Sequence, residues 1–347
     1  MSKIMNVIEW LFALWKGDPI LKIGMKIVLI GAGIIGFSIP TFSIEKYGVS
    51  FSISDSTFGA SYLLGAISFI IGLGMIVHRY SQLSKKPAVI YYGQGMPNMD
   101  DKAPVYALPR IDRYFARIEY LSAVDSYDKD TLVKETQFYQ RLFSKRTKHK
   151  GAPVIYLAAL GSFPYLFTLG TLLRNAHNRV RVLEHARNAA GGSKWHLLDK
   201  HSDDGITHIV QGDEDQPYMQ AVREINSKKN QEIGIALSYT FEISQKDLPE
   251  ELRGSTIILK TSLGYGLDKL SNESIQRKLL SELSVILNLL GKNRPRAHLF
   301  VAAQASMCIN IGKCYQDNVH PELVLYNYTR GQGYNWSVSY NQEGFHE

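Results

Sequence analysis

Cysteine is scarce in this sequence, and so are the short motifs that mark common enzymes. The 347 residues include only Cys308 and Cys314, whose spacing of six suits neither a disulfide nor a metal site. Free thiols fit a reducing cytoplasm. No phosphate-binding loop, dinucleotide fingerprint, zinc-protease or zinc-deaminase motif, or nucleophile elbow occurs. We therefore expect a protein that is not an enzyme and needs no metal or cofactor.

Formal charge is missing from two long apolar runs near the N-terminus. Ile27–Ile44 has eighteen uncharged residues and Ser56–Val77 has twenty-two. A hydrocarbon core of about 30 Å is crossed by a helix of roughly 20 apolar residues. We predict a transmembrane hairpin over 23–78, with two buried helices of a soluble protein as the alternative. Without charges at the midplane, the hairpin alone does not suit a transporter.

Basic residues flank both outer ends of this hairpin, at Lys16, Lys22, Lys26, Arg79, Lys85 and Lys86. The positive-inside rule then places the connecting loop outside and both chain termini in the cytoplasm. Residues 4–15 are apolar with aromatic ends, and we assign 1–22 to an interfacial helix on the inner leaflet. A helix that packs on the rest of the protein is an equal alternative.

Small residues recur along one face of the second run, at Ser61, Gly65, Ser68 and Gly72. Close backbone approach across small residues allows helices to associate in lipid. The stripe predicts packing either inside one hairpin or between protomers.

The overall charge of +7 is concentrated near the hairpin and again between Lys145 and Lys150. Such clusters indicate topology and contact with anionic lipid, although a basic chain can also hold an anionic ligand. Residues 79–150 read as a connector, with a strand at Ala88–Tyr92 and helical periodicity from Ile111 to Ser144 that breaks near 126–130.

From Ala152 onward, short apolar runs alternate with helices, as parallel sheets require. We predict an α/β fold. The expected strands are Val154–Leu160, Val180–His185, Trp195–Asp199, Ile233–Thr240, Thr256–Thr261, Ala297–Ala303, Glu322–Tyr328 and Tyr334–Tyr340. The expected helices are Pro164–Arg174, Gln216–Ser227, Asn272–Leu290 and Met307–Asp317.

Two passages of this region match each other at a spacing of about 142 to 144 residues. Each has a strand ending in paired alanines, a helix with a central glycine, at Gly170 or Gly312, and a strand followed by arginine. One explanation is convergence, because the order strand, turn, helix, strand is common in doubly wound folds. An internal duplication is favoured by the similar spacing. It predicts two Rossmann-like halves, 151–245 and 254–347, related by a pseudo-twofold axis.

Ligands of open parallel sheets bind at the carboxyl ends of the strands. That rule selects turns at helix N-termini, hydroxyls, an amide, aromatics and arginines, a set suited to nucleotides. The candidate ligand-binding residues are Gly161, Ser162, Phe163, Arg187, Tyr239, Ser262, Tyr265, Gln304, Ser306 and Arg330.

The passage from His298 to Tyr340, and its weaker copy from Pro153, resemble a SAVED domain, which is similar to two fused CARF domains. The resemblance covers about 150–347 and makes 151–347 a sensor domain. It implies a sensor of cyclic oligonucleotides in bacterial antiphage signalling (CBASS), and a paired transmembrane module before it resembles the membrane effectors of those systems. What carries over is the pocket position at Ser162, Phe163, Gln304 and Ser306.

The resemblance implies an effector that binds a cyclic di- or trinucleotide, forms a homo-oligomer and disrupts the lipid bilayer, causing growth arrest or cell death. DNA is not an expected partner. The alternatives are a membrane-anchored enzyme that processes nucleotides and an anchored scaffold without catalysis.

Overall fold

The fold is taken from a computed structural model of the full chain. The residues that it describes are 18–37, 42–44, 49–51, 55–85, 88–94, 104–109, 112–113, 116–121, 129–147, 154–174, 180–186, 194–200, 205–228, 232–292, 296–329, 331–341 and 343–346. They form two compact units. The first comprises 1–88 with 109–116, and the second comprises 89–108 with 117–347.

The first unit is an antiparallel helical hairpin. Its elements are α1 (Pro19–Phe37), β1 (Phe42–Ile44), β2 (Val49–Phe51) and α2 (Asp55–Lys85), and β1 pairs with β2. Glycines let the two helices approach closely: a Cβ added to Gly31 would lie 2.7 Å from the carbonyl oxygen of Gly65, and one added to Gly72 would lie 2.7 Å from that of Gly24. Two members of the small-residue stripe therefore pack inside the hairpin.

An ion pair joins the two ends of this hairpin. One carboxylate oxygen of Asp18 accepts hydrogen bonds from the backbone N–H groups of Ile20 and Leu21, at 2.9 and 3.1 Å, and so caps α1. The other accepts from Nε and Nη2 of Arg79, at 3.0 and 2.9 Å. This fork fixes the register of α1 on α2.

The first apolar span differs from its predicted bounds. Instead of a helix over Ile27–Ile44, α1 ends at Phe37 and Phe42–Ile44 is a strand. The helix begins earlier, so that Lys22 and Lys26 lie exposed in its first turns. In the described part of the chain, one helix, Gly59–Ser84, is long and apolar enough to cross a membrane by length and composition. The interfacial helix predicted at 4–15 lies outside the described residues.

The second unit contains a five-stranded sheet in the order β4-β3-β5-β6-β7. Its strands are β3 (Val89–Gln94), β4 (Arg117–Leu121), β5 (Ile155–Leu160), β6 (Val180–His185) and β7 (Trp195–Leu197). All neighbours are parallel except β7, which runs antiparallel to β6. Apolar runs such as IYLAAL suit strands that are covered on both faces.

This sheet corrects two expectations about residues 79–150. The helical periodicity predicted from Ile111 to Ser144 is wrong at Ile118 and Leu121, because Arg117–Leu121 is the strand β4. The region is also more than a connector, since β3 and β4 belong to the same sheet as β5. The predicted helix after them is α3 (Lys129–Thr147).

A seven-stranded sheet completes the second unit, in the order β14-β13-β12-β11-β9-β10-β8. Its strands are β8 (His208–Val210), β9 (Gly234–Ser238), β10 (Thr256–Thr261), β11 (Arg296–Ala302), β12 (Glu322–Thr329), β13 (Gly333–Asn341) and β14 (Gly344–His346). The four strands β12-β11-β9-β10 are parallel. Because β9 pairs with β11, residues 234–238 belong to the second sheet, whereas the predicted first half ran to 245.

Four more helices cover these sheets: α4 (Phe163–Leu173), α5 (Tyr218–Ser227), α6 (Glu273–Gly291) and α7 (Ala305–Cys314). Helix α4 is apolar on all sides, which fits a helix buried between layers. It packs against α7, and one continuous core includes Phe167 of α4 together with residues of both sheets, such as Tyr91 and Leu299. The predicted α/β fold is confirmed.

Candidate functional site

A cavity of about 180 Å³ lies at the carboxyl ends of β5, β6, β11 and β12. This is the edge at which parallel α/β sheets place their ligands. Both repeated passages contribute to it. The lining residues are Leu160, Gly161, Ser162, Phe163, Leu166, Glu184, His185, Thr240, Phe241, Leu267, Asp268, Val301, Ala302, Ala303, Gln304, Ala305, Cys308, Asn327 and Tyr328.

The N-terminus of α4 forms one wall of the cavity. Ser162 is the N-cap residue, with an extended backbone (φ −64°, ψ 156°), and its side chain makes no capping hydrogen bond. Its carbonyl oxygen accepts the first helical hydrogen bond, from the N–H of Leu166 at 3.0 Å. Pro164 is tolerated in the first turn, where no intrahelical donor is required.

The N-terminus of α7 forms the facing wall, where Gln304 occupies the N-cap position. Its side-chain oxygen accepts a 2.6 Å hydrogen bond from the N–H of Leu270. The carbonyl of Leu270 in turn accepts from the amide of Gln276 at 2.7 Å. Gln304 thus holds the loop that carries Leu267 and Asp268 into the cavity wall, and Asp268 adopts a left-handed backbone there (φ 66°).

Glu184 crosses from β6 to the N-terminus of α7. One carboxylate oxygen accepts from the backbone N–H of Ser306 and the other from that of His185, both at 3.0 Å. Only 2% of Glu184 is exposed, and this burial raises the pKa of its carboxyl, although the bonds from Ser306 act in the opposite direction. The N-terminus of α7, like that of any helix, attracts anions, and here the carboxylate of Glu184 already occupies that position.

Asn327 occupies the matching position on β12, since Glu184 and Asn327 each come three residues before the arginine that ends its passage. Asn327 lines the cavity, and its side-chain nitrogen is buried without a hydrogen-bond partner. The pairing of β12 with β13 shifts register between Asn327 and Tyr328. Such irregularities re-aim side chains beside binding sites.

Aromatic side chains lie at the rim. The rings of Phe241 and Tyr328 have centroids 5.2 Å apart, and Phe241 is 41% exposed. Tyr328 also contacts Tyr334 edge to face at 5.3 Å, while His185 meets Trp195 in the same way at 5.0 Å. Exposed aromatic faces at a cavity rim can stack on nucleobases.

The predicted site residues divide into four groups. Gly161, Ser162, Phe163 and Gln304 come together around the cavity. Ser306 is fully buried beside it, where its hydroxyl accepts from Gln276 at 2.6 Å. Arg187 and Arg330 lie outside the described residues.

The remaining predicted residues do not line the cavity. The hydroxyl of Tyr239 lies 2.6 Å from Nε2 of His208, whose Nδ1 lies 2.8 Å from Glu282, in a buried network. Tyr265 donates to Gln211 at 3.0 Å. Ser262 is exposed at the end of β10.

Sequence reasoning missed Glu184, Asn327, Asp268 and Tyr328. The repeat carried a usable signal for two of them, because the residue three places before each terminal arginine is polar within an apolar strand. Asp268 had no such signal, since its position depends on a loop held by Gln304.

The cavity is acidic rather than basic over the described residues, with Glu184 and Asp268 but no lysine or arginine in its lining. Over the same residues, no group of histidine, cysteine and acidic side chains could hold a metal ion.

The fold and the cavity define an α/β protein with two Rossmann-like sheets and a site at the carboxyl edge of their strands. The family model of the SAVED domain, described as a SMODS-associated sensor domain fused to various effectors, matches residues 135–339. The chain belongs to this family. Its match begins within α3, which is upstream of the predicted domain start at 151.

Solved structures of similar fold include Cap4 receptors with a SAVED/CARF domain. That of Acinetobacter baumannii with the cyclic trinucleotide 2′3′3′-cAAA is 14% identical over 81% of this chain and 61% of its own, with a TM-score of 0.45. The same receptor with 3′3′3′-cAAA is 13% identical over 81% of this chain and 61% of its own, with a TM-score of 0.46. The Moraxella osloensis receptor is 11% identical over 80% of this chain and 57% of its own, with a TM-score of 0.40. This chain thus spans about three fifths of each. The comparison with curated proteins gives no match.

Proposed function

We propose that this chain is a membrane-anchored receptor that binds a cyclic di- or trinucleotide in the cavity between its two repeated passages. The observation that carries the proposal is the convergence of the two helix N-termini, α4 and α7, on one cavity at the carboxyl edge of both sheets. Membership of a sensor-domain family supports the same reading.

The size of the cavity bears on how such a ligand would sit. Sites for drug-sized ligands are typically about 300–1,000 Å³, whereas this cavity holds about 180 Å³. One part of a cyclic oligonucleotide would enter, and the remainder would lie across the rim formed by Phe241, Leu267 and Tyr328.

The hairpin would supply the effector function. We place it in the bacterial inner membrane, with both of its ends on the cytoplasmic side and with Lys22 and Lys26 extended toward the lipid head groups. Ligand-driven oligomerisation would bring hairpins together and disrupt the bilayer, leading to growth arrest. Because Gly65 and Gly72 pack against α1, association would use the opposite, exposed face of α2, which includes Leu63, Ile67, Ile70 and Gly74.

Binding should be tested on the full-length chain in detergent micelles. A thermal-shift screen would use 2′3′3′-cAAA, 3′3′3′-cAAA and a set of cyclic dinucleotides, followed by size-exclusion chromatography with light scattering. We expect one compound to raise the melting temperature and the protein mass. The Phe241→Ala variant should lose this shift, whereas Tyr120→Ala, which removes an exposed aromatic outside the cavity, should keep it.

Each other outcome points elsewhere. A stabilising compound that leaves the mass unchanged would retain the receptor and refute the oligomerisation step. Turnover of the compound would indicate the nucleotide-processing enzyme. No response to any compound by a folded chain would refute the receptor and favour the scaffold.

A further inference from the structure

A second recess of the fold lies beside the second half of α7, away from the cavity described above. It is bounded by the first half of β6, the residues that follow β7, the first turn of α6 and the end of α7. It holds about 590 Å³, within the usual range of about 300–1,000 Å³ for small-molecule sites. Apolar residues line part of it, among them Val180, Val182 and Leu197.

Three cationic residues line the same recess. They are Arg181 on β6, Lys200 after β7 and Lys313 on α7. Over the part of the chain that the structure describes, none of the three makes a salt bridge or a hydrogen bond. Arg181 and Lys313 are both half-buried. Cations that are partly withdrawn from water are favoured when an anion pairs with them.

Acidic residues offset this positive charge only in part. The lining includes Asp199 and Glu273, and the carboxylate of Glu273 already accepts a 2.9 Å hydrogen bond from Nη2 of Arg277. Three positive charges against two negative charges leave the recess with a net positive lining. The cavity at the N-terminus of α7 is acidic, so the two sites suit groups of opposite charge.

Burial is unfavourable for the charge of Lys313. Withdrawal from water lowers the pKa of its ammonium, and the negative charge of Glu273 acts in the opposite direction. The position of Lys313 in the last turn of α7 supplies one stabilising contribution, because the C-terminus of a helix favours cations. That contribution does not account for Arg181, which interrupts an apolar strand, or for Lys200.

The internal repeat shows that the fold does not require these charges. Counted back from the arginines that follow the two strands, Arg181 corresponds to Val324 on β12. Counted from the central glycines, Lys313 corresponds to Thr171 on α4. Val324 and Thr171 are buried and uncharged. The same packing of helix on strand thus forms without cations in one copy, and the cationic recess is particular to the other.

A phosphate group matches this set of donors. It carries a charge of about −1.5 to −2 at neutral pH and has three acceptor oxygens, so that one group can contact a guanidinium and an ammonium together. The guanidinium of arginine pairs with two phosphate oxygens at once. The remaining volume would take the organic part of the ligand beside the apolar lining.

We infer that this recess binds a small, soluble, phosphate-bearing molecule, with Arg181, Lys200 and Lys313 as its donors. The inference goes beyond the proposed receptor and does not depend on it, because the recess and the first cavity share no lining residue.

The first test measures protection of lysines on the unaltered full-length chain in detergent. Limited acetylation with acetic anhydride, read by mass spectrometry, would be compared in sodium pyrophosphate and in sodium chloride of matched ionic strength. We expect pyrophosphate to slow the labelling of Lys200 and Lys313. Lys292, which is exposed and lies outside the recess, should be labelled at the same rate in both salts.

A variant pair then tests the guanidinium. Arg181→Gln should weaken the binding of pyrophosphate by about tenfold or more in isothermal titration calorimetry, because it removes a hydrogen bond between charged groups. Arg223→Gln makes the same chemical change at an exposed position on α5 outside the recess and should leave the affinity unchanged. If Arg181→Gln fails to fold, the acetylation of the unaltered chain still decides the matter.

Several results would overturn the inference. They are equal labelling of Lys200 and Lys313 in pyrophosphate and chloride, and full affinity in a folded Arg181→Gln. Protection by mixed micelles that contain phosphatidylglycerol, without protection by pyrophosphate, would indicate a lipid head group and so also refute a soluble ligand. The thermal-shift comparison of Phe241→Ala tests the proposed receptor separately, so that either idea can fail without the other.

Discussion

Gly170 and Gly312, the central glycines of the two repeated helices, face each other where α4 crosses α7. A Cβ built on Gly170 would lie 3.0 Å from Cα of Gly312 and would overlap the carbonyl oxygen of Ile309, and one built on Gly312 would overlap that of Phe167. Equivalent residues of the repeat therefore meet at a backbone contact. This contact sets the spacing of the two helix N-termini that form the cavity.

Replacing either glycine by alanine should destabilise the second unit by about 1–3 kcal/mol, as overpacking of a closed core does. Neither helix can yield, because the obstructing atoms are backbone. Thermal unfolding of the full chain checks this, with Gly254→Ala as the control because no atom lies within 4 Å of a Cβ at that position. Equal melting temperatures for Gly312→Ala and Gly254→Ala would refute the close contact.

Truncation should reveal that the second unit begins before the predicted domain. A fragment starting at Gly151 loses β3, in which Ile90 and Tyr91 are fully buried, and leaves an edge of β5 unpaired. We expect it to aggregate. A fragment starting at Pro87 keeps both strands and should be soluble, with cooperative unfolding by circular dichroism. A folded fragment from Gly151 would contradict this assignment of the sheet.

Stability should depend on pH through Glu184. Burial raises its pKa in the folded state above the usual 4.5, so the unfolded state ionises first as pH rises. The wild type should therefore lose stability relative to Glu184→Gln as pH increases from about 4.5 to the raised value, and the difference should then level off. Denaturant unfolding at several pH values measures it. A difference that does not change with pH would refute the buried, ionisable state of Glu184.

His320 should act in the opposite direction. Burial, aided by the charge of Arg174, lowers its pKa from 6.5 to about 4, and Nδ1 accepts a hydrogen bond from the N–H of Gln316 at 3.1 Å. The unfolded chain takes up the proton first, so stability is complete above pH 6.5 and falls as pH drops toward 4. His320→Asn should flatten this part of the curve. An unchanged acid limb in the variant would exclude His320 as its cause.

Inside the hairpin, Gly72→Leu should separate α1 from α2, because a Cβ there would lie 2.7 Å from the carbonyl oxygen of Gly24 and from the backbone nitrogen of Val28. Gly74→Leu, with no atom within 4 Å of the added Cβ, is the matched control. We expect only Gly72→Leu to lower the melting temperature of the hairpin in detergent. Proteolysis of the loop that connects the two helices is the measurement that follows this unfolding. Equal behaviour of the two variants would refute the packing of α1 on α2.

The sequence predicted the elements after Ala152 closely, and it did less well before them. Apolar runs such as Thr256–Thr261 are strands with the predicted bounds. The helical periodicity predicted from Ile111 to Ser144 includes Ile118 and Leu121, yet these residues pair with β3. A run of five residues is too short for its periodicity to separate helix from strand, and the strand beside it decides.

The candidate site shows the same division. The rule that ligands bind at the carboxyl ends of parallel strands placed Gly161, Ser162, Phe163 and Gln304 at one edge of the sheets. The structure brings these four residues together around one cavity. It could not tell that Ser306 is turned toward Gln276 or that Tyr239 belongs to a network with His208. Side-chain partners that lie 30 residues or more away in the chain leave no local pattern.

The sequence by itself determined the α/β class, the repeat and the apolar run at Ser56–Val77, because each depends on local periodicity and composition. Only the tertiary structure decided that β3 and β4 complete the first sheet, that Glu184 accepts a hydrogen bond from the N-terminus of α7 and that the side-chain nitrogen of Asn327 is buried without a partner. These three features depend on contacts between distant segments, and such contacts arise only when the whole core closes.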